Sequence, residues 1–208
     1  MIRQSHVTRG RIQSEHFVQF FDTPDSRSRN VASYVSKTRD QRVLLVVRPV
    51  NWRLISVDLS RNGFDVDEAL RSGRMAVKDA DALLAIMGER KPNREIFMKE
   101  VASVVRQMAL EGGVTIYGEL VDLYATNAEF DGAMVIEGFW NELAQEIPMT
   151  LMCGYSAAHF VSAGTRGRLS EVCQAHAHTR AHDADLLAAW LLDTARLPFH
   201  DQPFSPQS

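Results

Sequence analysis

The chain has 208 residues and a formal net charge of −3, with 45% hydrophobic and 24% charged residues. This is the composition of a globular domain with enough apolar side chains for one large core. The acid excess and the scatter of Arg3, Arg9 and Arg11 exclude a basic nucleic-acid surface, no apolar run approaches the roughly 20 residues of a membrane span, and Cys153 and Cys173 are too far apart for a disulfide framework or a zinc pattern.

A reduced, cytoplasmic protein is expected, with no direct nucleic-acid or membrane partner. Residues 1–14 read as a polar arm. His16 to Phe21 is aromatic and β-branched, a first strand followed by Asp22. Thr23-Pro24 marks a helix start, with proline at the first helical position, and Val31, Tyr34, Val35 and Thr38 form one helical face. Val43–Val47 is a continuous apolar run, the pattern of a strand covered on both faces. Arg48-Pro49 ends it, and Trp52, Ile55 and Leu59 carry a helix to Asn62-Gly63. A short helix at Val66–Arg71 leads to a brief strand, Met75 to Val77, that ends at Lys78-Asp79.

Asp79 or Asp81 caps the next helix, through Leu83, Leu84 and Met87. Ile96, Phe97, Val101, Val104, Val105 and Met108 predict an amphipathic helix that stops at Gly112-Gly113. Val114–Gly118 is a buried strand running into Glu119, where a helix begins. A break near Asn127 and a longer helix through Phe130, Met134, Glu137, Trp140 and Leu143 follow. Met149–Cys153 reads as the last strand, left by Gly154-Tyr155. Two helices are expected near Leu169–Thr179 and His182–Ala195, then a proline-containing tail from 198 to 208.

Strand–helix alternation from end to end predicts a three-layer α/β fold: a mostly parallel sheet of five or more strands with helices on both faces. Its carboxyl edge would then carry Asp22, Arg48, Asp79, Glu119 and Tyr155, the place where ligands bind in such sheets.

Three segments resemble one known family: the histidine-plus-aromatic strand His16 to Phe21; Tyr117-Gly118-Glu119-Leu120-Val121; and Ile136-Glu137-Gly138-Phe139-Trp140-Asn141-Glu142-Leu143 with Leu151-Met152-Cys153-Gly154-Tyr155. In order and spacing they resemble the MEDS sensory domain of the dichloromethane-responsive regulator of methylotrophs and of methanogen sensors. The resemblance covers Glu15 to Tyr155 and implies a core similar to RecA- and KaiC-like ATPases, with a sensing role in two-component signalling or transcriptional control. On this basis the sensory domain is drawn over residues 15–161, with a C-terminal helical extension at 162–197. One departure matters. The loop Arg48-Pro49-Val50-Asn51-Trp52-Arg53 has no glycine, lysine or hydroxyl, so it lacks the G-x-x-x-x-G-K-[ST] phosphate cradle.

Candidate ligand-binding residues are therefore Glu119, Arg48, Asp79, His16, Asp22 and Tyr155. Glu119 is a candidate general base, metal ligand or ligand acceptor, and equally a candidate helix cap. His16 either reaches the pocket or pins the first strand. Glu137 lies among apolar residues and needs a partner; Cys153 reads as a small buried hydrophobe. His178 and His182 stand at helical i, i+4 spacing near His176, Cys173 and Asp183, but no motif makes them ligands, so no metal and no cofactor are expected. The apolar stretch Leu186–Leu192 predicts an interface helix centred on Trp190 with Leu187 and Leu191. The expected function is a non-enzymatic sensory or regulatory module, a homodimer reporting to a histidine kinase or transcription regulator. The alternatives are an enzyme with Glu119 as general base and Arg48 orienting an anionic substrate, or an adaptor without a ligand.

Overall fold

A computed structural model describes residues 14–38 and 40–195. The expected arm, apart from Ser14, and the tail lie outside them. Six strands alternate with helices: β1 Glu15–Phe21, α1 Pro24–Ser36, β2 Arg42–Val47, α2 Pro49–Arg61, α3 Val66–Arg71, β3 Met75–Asp79, α4 Ala80–Met87, α5 Arg94–Phe97, α6 Ser103–Ala109, β4 Val114–Gly118, α7 Leu120–Thr126, α8 Phe130–Glu146, β5 Met149–Ser156, α9 Ala163–Gln174, β6 His178–Ala181 and α10 Leu186–Thr194. A π turn, Met98–Ala102, joins α5 to α6, and a 3₁₀ turn, Ala157–Phe160, follows β5. The strands form one sheet in the order β3-β2-β4-β5-β1-β6, and every pairing is parallel.

Local chemistry sets the helix starts. Thr23 Oγ accepts the Ser26 N–H with Pro24 behind it, Asp65 and Asp79 accept the N–H groups of Glu68 and Ala82, and Asn93 caps α5. The predicted amphipathic helix over 96–108 is divided by the π turn, which keeps Phe97, Val101, Ala102, Val105 and Met108 buried.

Alternate side chains of each strand enter opposite layers. Phe17, Phe21, Val43, Leu45, Val47 and Tyr117 pack under α1–α3. Val18, Phe20, Leu44, Val46, Ile116, Leu151, Cys153 and Tyr155 pack under the remaining helices. Leu44 and Leu45 are both 0% exposed on successive positions, so β2 is covered on both faces. Each such side chain contributes about 1.5–3 kcal/mol on burial.

Two expectations are corrected. The segment read as the end of a helix at Thr179 is strand β6, paired with Phe17–Phe20 of β1, so His178 and His182 do not share a helix face. Strand β5 extends to Ser156, which places Tyr155 inside the strand with its ring in the α8 layer, away from the carboxyl edge.

Candidate functional site

All six strands run the same way, so Asp22, Arg48, Asp79 and Glu119 do lie on one edge. Glu119 is its centre and is 0% exposed. The Arg48 backbone N–H donates to its Oε2 at 2.9 Å, Asn51 Nδ2 lies 3.0 Å from both oxygens, and the Tyr117 hydroxyl donates to Oε1 at 2.9 Å. The Arg27 guanidinium approaches Oε1 at 3.2 Å. The carboxylate thus lies against the first turn of α2, where N–H groups and the helix dipole favour an anion. It does not cap its own helix, α7. Gly154 makes this arrangement possible: a Cβ there would lie 2.7 Å from the Tyr117 hydroxyl.

Arg27, on α1, binds two carboxylates at once. Its Nη2 donates to Asp122 Oδ2 at 2.8 Å, and Asp122 Oδ1 accepts the Ser156 N–H at 2.7 Å and lies 2.9 Å from His159 Nε2. Burial alone would raise the Asp122 pKa, but Arg27, His159 and the Ser156 N–H outweigh it and hold it at about 2. Burial likewise opposes the charge on Arg27, and the fields of Asp122, Tyr117 and Glu119 push its pKa up. The sequence reading did not single out Arg27, Asn51 or Asp122. A buried arginine in an amphipathic helix looks like surface until its partners are known.

The other predicted residues are dispersed. Arg48 Nε donates to Asp81 at 3.1 Å, and exposed Asp79 caps α4. Asp22 accepts the N–H groups of Leu187 and Ala188, while Asp185, 0% exposed, accepts the Asp22 N–H and the Ser26 hydroxyl. This reciprocal clasp fixes the start of α10 to the end of β1. His16 belongs elsewhere: it stands at the amino end of β1, so it is remote from the pocket expected at the carboxyl edge. Trp190 is half exposed, with Arg166 over its ring, and Leu187 is partly buried. Leu191 is 2% exposed and packs in the core with Ala188 and Leu192, which removes it from any interface.

A second polar cluster lies inside the α8 layer. His16 Nε2 is 3.3 Å from Cys153 Sγ and 3.3 Å from Glu137 Oε2. Cys153 Sγ is 3.2 Å from Glu137 Oε2, and His176 Nε2 is 3.3 Å from the same oxygen. The four donor atoms lie within 4.8 Å of one another, the one such grouping with metal-ligand chemistry among the described residues. The Tyr155 hydroxyl donates to Glu137 Oε1 at 2.9 Å. Burial raises the Glu137 pKa, but the two imidazoles overcome this and hold it well below the usual carboxylate range. Burial and the neighbouring carboxylate push the Cys153 thiol up. The apolar setting of Glu137 demands partners, and the fold supplies them from β1, β5 and the α9–β6 connection, segments that no local sequence signal links to it.

A cleft of about 500 Å³ opens between α1 and β6. Phe17, Tyr34 and Met152 form its floor; Gln19, Ser26 and Asn30 supply polar groups; Arg29, Lys37 and Arg180 stand around it, with Asp183 the one carboxylate in its lining. Arg180 is itself held by Glu15 at 2.7 Å and lies 4.0 Å from the centre of the Phe17 ring.

The parallel sheet and its two helical layers define a KaiC-like, RecA-type α/β fold. The solved structures similar to it include a KaiC-like protein from the hyperthermophilic archaeon Pyrococcus horikoshii OT3, 12% identical with a TM-score of 0.51, covering 79% of this chain and 69% of that one. The flagellar accessory protein FlaH from Methanocaldococcus jannaschii is 10% identical with a TM-score of 0.51, over 80% of this chain and 71% of that one. The chain belongs to the MEDS family, the MEthanogen/methylotroph, DcmR Sensory domain, whose model matches residues 15–177. No curated protein matches it. The match includes α9 and all four residues of the His–Glu–Cys–His cluster. No Gly-Lys dipeptide occurs anywhere in the sequence, so none of the six strands leads into a lysine-bearing phosphate loop. Among the described residues no helix is long and apolar enough to cross a membrane.

Proposed function

We propose that this chain is a non-enzymatic sensory module that takes a small polar, anionic ligand in the cleft between α1 and β6 and reports its presence through α10. The observation that carries this reading is the wiring of Ser26. Its residue lines the cleft, and its hydroxyl donates at 2.6 Å to Asp185, immediately before α10. His182, Asp183 and Ala184, which lead into that helix, line the same cleft. Ligand contact with the cleft wall therefore acts directly on the clasp that fixes α10. Exposed Leu186 and half-exposed Trp190 on that helix offer apolar area to a second copy or to a signalling partner such as a histidine kinase or transcription regulator. The basic lining favours an anion.

Catalysis by Glu119 is disfavoured: its oxygens are occupied by Arg48, Asn51, Tyr117 and Arg27, and the group is fully buried. The test is a thermal-shift screen of the purified chain against small organic anions, since a ligand that binds only the native state raises Tm. The expected hit shifts the wild type, and its shift is reduced in Arg29→Ala and Ser26→Ala. Magnesium-dependent ATP turnover that is abolished by Glu119→Gln would overturn the reading.

A further inference from the structure

We propose that His16, Glu137, Cys153 and His176 form a buried four-coordinate site for one divalent transition-metal ion, with zinc the best fit. The inference rests on geometry inside the α8 layer and is independent of the ligand cleft. Zinc bonds of about 2.0–2.3 Å to nitrogen, oxygen and sulfur set tetrahedral donors roughly 3.3–3.6 Å apart. Four of the six donor separations here are 3.2, 3.3, 3.3 and 3.3 Å, and all six lie within 4.8 Å. Only small shifts of side chains that already converge would complete the coordination.

The surrounding hydrogen bonds fix which atoms face the centre. Asn141 Nδ2 donates to the Ala175 carbonyl at 3.3 Å, which turns Asn141 Oδ1 toward His16 Nδ1, 2.8 Å away. His16 Nδ1 must then be the donor, and the lone pair lies on Nε2. His176 Nδ1 donates to the Val172 carbonyl at 2.7 Å, with the same result. Tyr155 occupies Glu137 Oε1 and leaves Oε2 for the centre. An imidazole whose outer N–H is held by a carbonyl or amide while its inner nitrogen faces a shared point is the usual support of a metal-bound histidine.

With both imidazoles neutral and no metal, one buried contact is unsatisfied. His176 Nε2 is buried, with its side chain 0% exposed, and has no hydrogen-bond partner; it faces a carboxylate oxygen at 3.3 Å. In the tautomer fixed by Val172 this sets acceptor against acceptor. Protonating His176 alone would turn this contact into a charge-balanced imidazolium–carboxylate pair with Glu137, whereas protonating both histidines would set two imidazolium rings 4.3 Å apart against one carboxylate. A divalent ion gives both Nε2 lone pairs a partner without a buried imidazolium. Binding releases the Cys153 thiol proton, and thiolate and carboxylate together balance the +2 charge, so the buried site is neutral. Four protein donors leave no open position, which is the pattern of a structural rather than a catalytic site. Such a site ties β1, α8, β5 and the α9–β6 connection together.

The test is metal content and cobalt spectroscopy on the full chain. The reduced protein, stripped with chelator and dialysed, is expected to bind one Zn²⁺ per chain and to raise its Tm on loading. Co²⁺ is expected to give tetrahedral visible bands and a near-ultraviolet thiolate charge-transfer band. Cys153→Ser abolishes the charge-transfer band, and His176→Ala weakens binding by more than 100-fold. Asn141→Ala keeps all four donors and weakens binding by about 10- to 100-fold. His178→Ala, at the exposed start of β6, binds as the wild type does. If the ligand variants fail to fold, the wild-type cobalt spectrum and Asn141→Ala decide alone. The proposal is overturned if the reduced wild type binds neither Zn²⁺ nor Co²⁺, if its cobalt spectrum lacks the thiolate band, or if Asn141→Ala and His178→Ala bind equally well.

Discussion

Replacing Arg27 by methionine tests the carboxyl-edge network most directly. The guanidinium is 7% exposed at its side chain and bridges Glu119 and Asp122, themselves 0% and 8% exposed. Methionine keeps most of the aliphatic volume and deletes the charge. Glu119 would retain Arg48, Asn51 and Tyr117, and Asp122 would retain Ser156 and His159, so neither carboxylate loses every partner. Both nonetheless lose their buried counter-charge, and breaking a buried pair costs about 3–5 kcal/mol. For a chain of this size each kcal/mol moves Tm by about 2–4 °C. The expected loss is therefore roughly 6–20 °C, a large share of a typical 5–15 kcal/mol total. Urea denaturation at pH 7 measures it, with Arg42→Ala as the comparison. The exposed Arg42–Glu111 pair at the sheet's opposite end should be worth about 1 kcal/mol or less. Equal losses from the two substitutions would refute the claim that the Arg27 bridge organises this edge.

Four further outcomes are expected. Asp122 titrates near 2 in the folded chain against an ordinary value of 3.8, so its contribution of about 2 kcal/mol is present above roughly pH 4 and disappears as pH falls through 2; Asp122→Asn should flatten that part of an acid-denaturation curve. Gly154→Ala should cost about 1–3 kcal/mol in urea melts, because its Cβ displaces the Tyr117 hydroxyl. Leu191→Ala should cost about 2–5 kcal/mol, whereas Trp190→Ala should leave stability within about 0.5 kcal/mol and instead weaken self-association in light scattering. Asp22→Ala, which removes the acceptor for the Leu187 and Ala188 N–H groups, should cost about 1 kcal/mol and raise amide exchange at the start of α10.

What could be read from the sequence follows from the range of the forces involved. Val43–Val47 announces itself because a strand covered on both faces is apolar at every position, Val114–Gly118 through its strand-forming side chains running into a glycine, and Thr23-Pro24, Asp79 and Asn62-Gly63 mark helix ends through bonds to neighbours a few residues away. Strand β6 carries no such local signal: His178-Thr179-Arg180-Ala181 is extended because β1 offers it a ladder. Glu119 was placed correctly by the strand-to-helix switch, but its partners were not, since Arg27 and Asn51 come from two other helices. In the α8-layer cluster His16 and Cys153 are 137 positions apart, beyond any motif spacing. A cluster of donor atoms assembled from separate segments becomes legible only once the fold has brought them together.

Strand β1 lies inside the sheet, between β5 and β6, yet it is the first strand among the described residues. During synthesis its two neighbours emerge after the other described strands. About 130 residues separate β1 from β5, which at 5–20 residues per second is roughly 6–26 seconds of translation. Throughout that interval Phe17, Val18, Phe20 and Phe21 lack both of the strands that pair with them in the folded sheet, and an unpaired apolar segment recruits foreign strands. The nascent chain is thus most exposed to aggregation before β5 appears, and its yield in cells should depend more on chaperone capacity than on the stability of the finished fold.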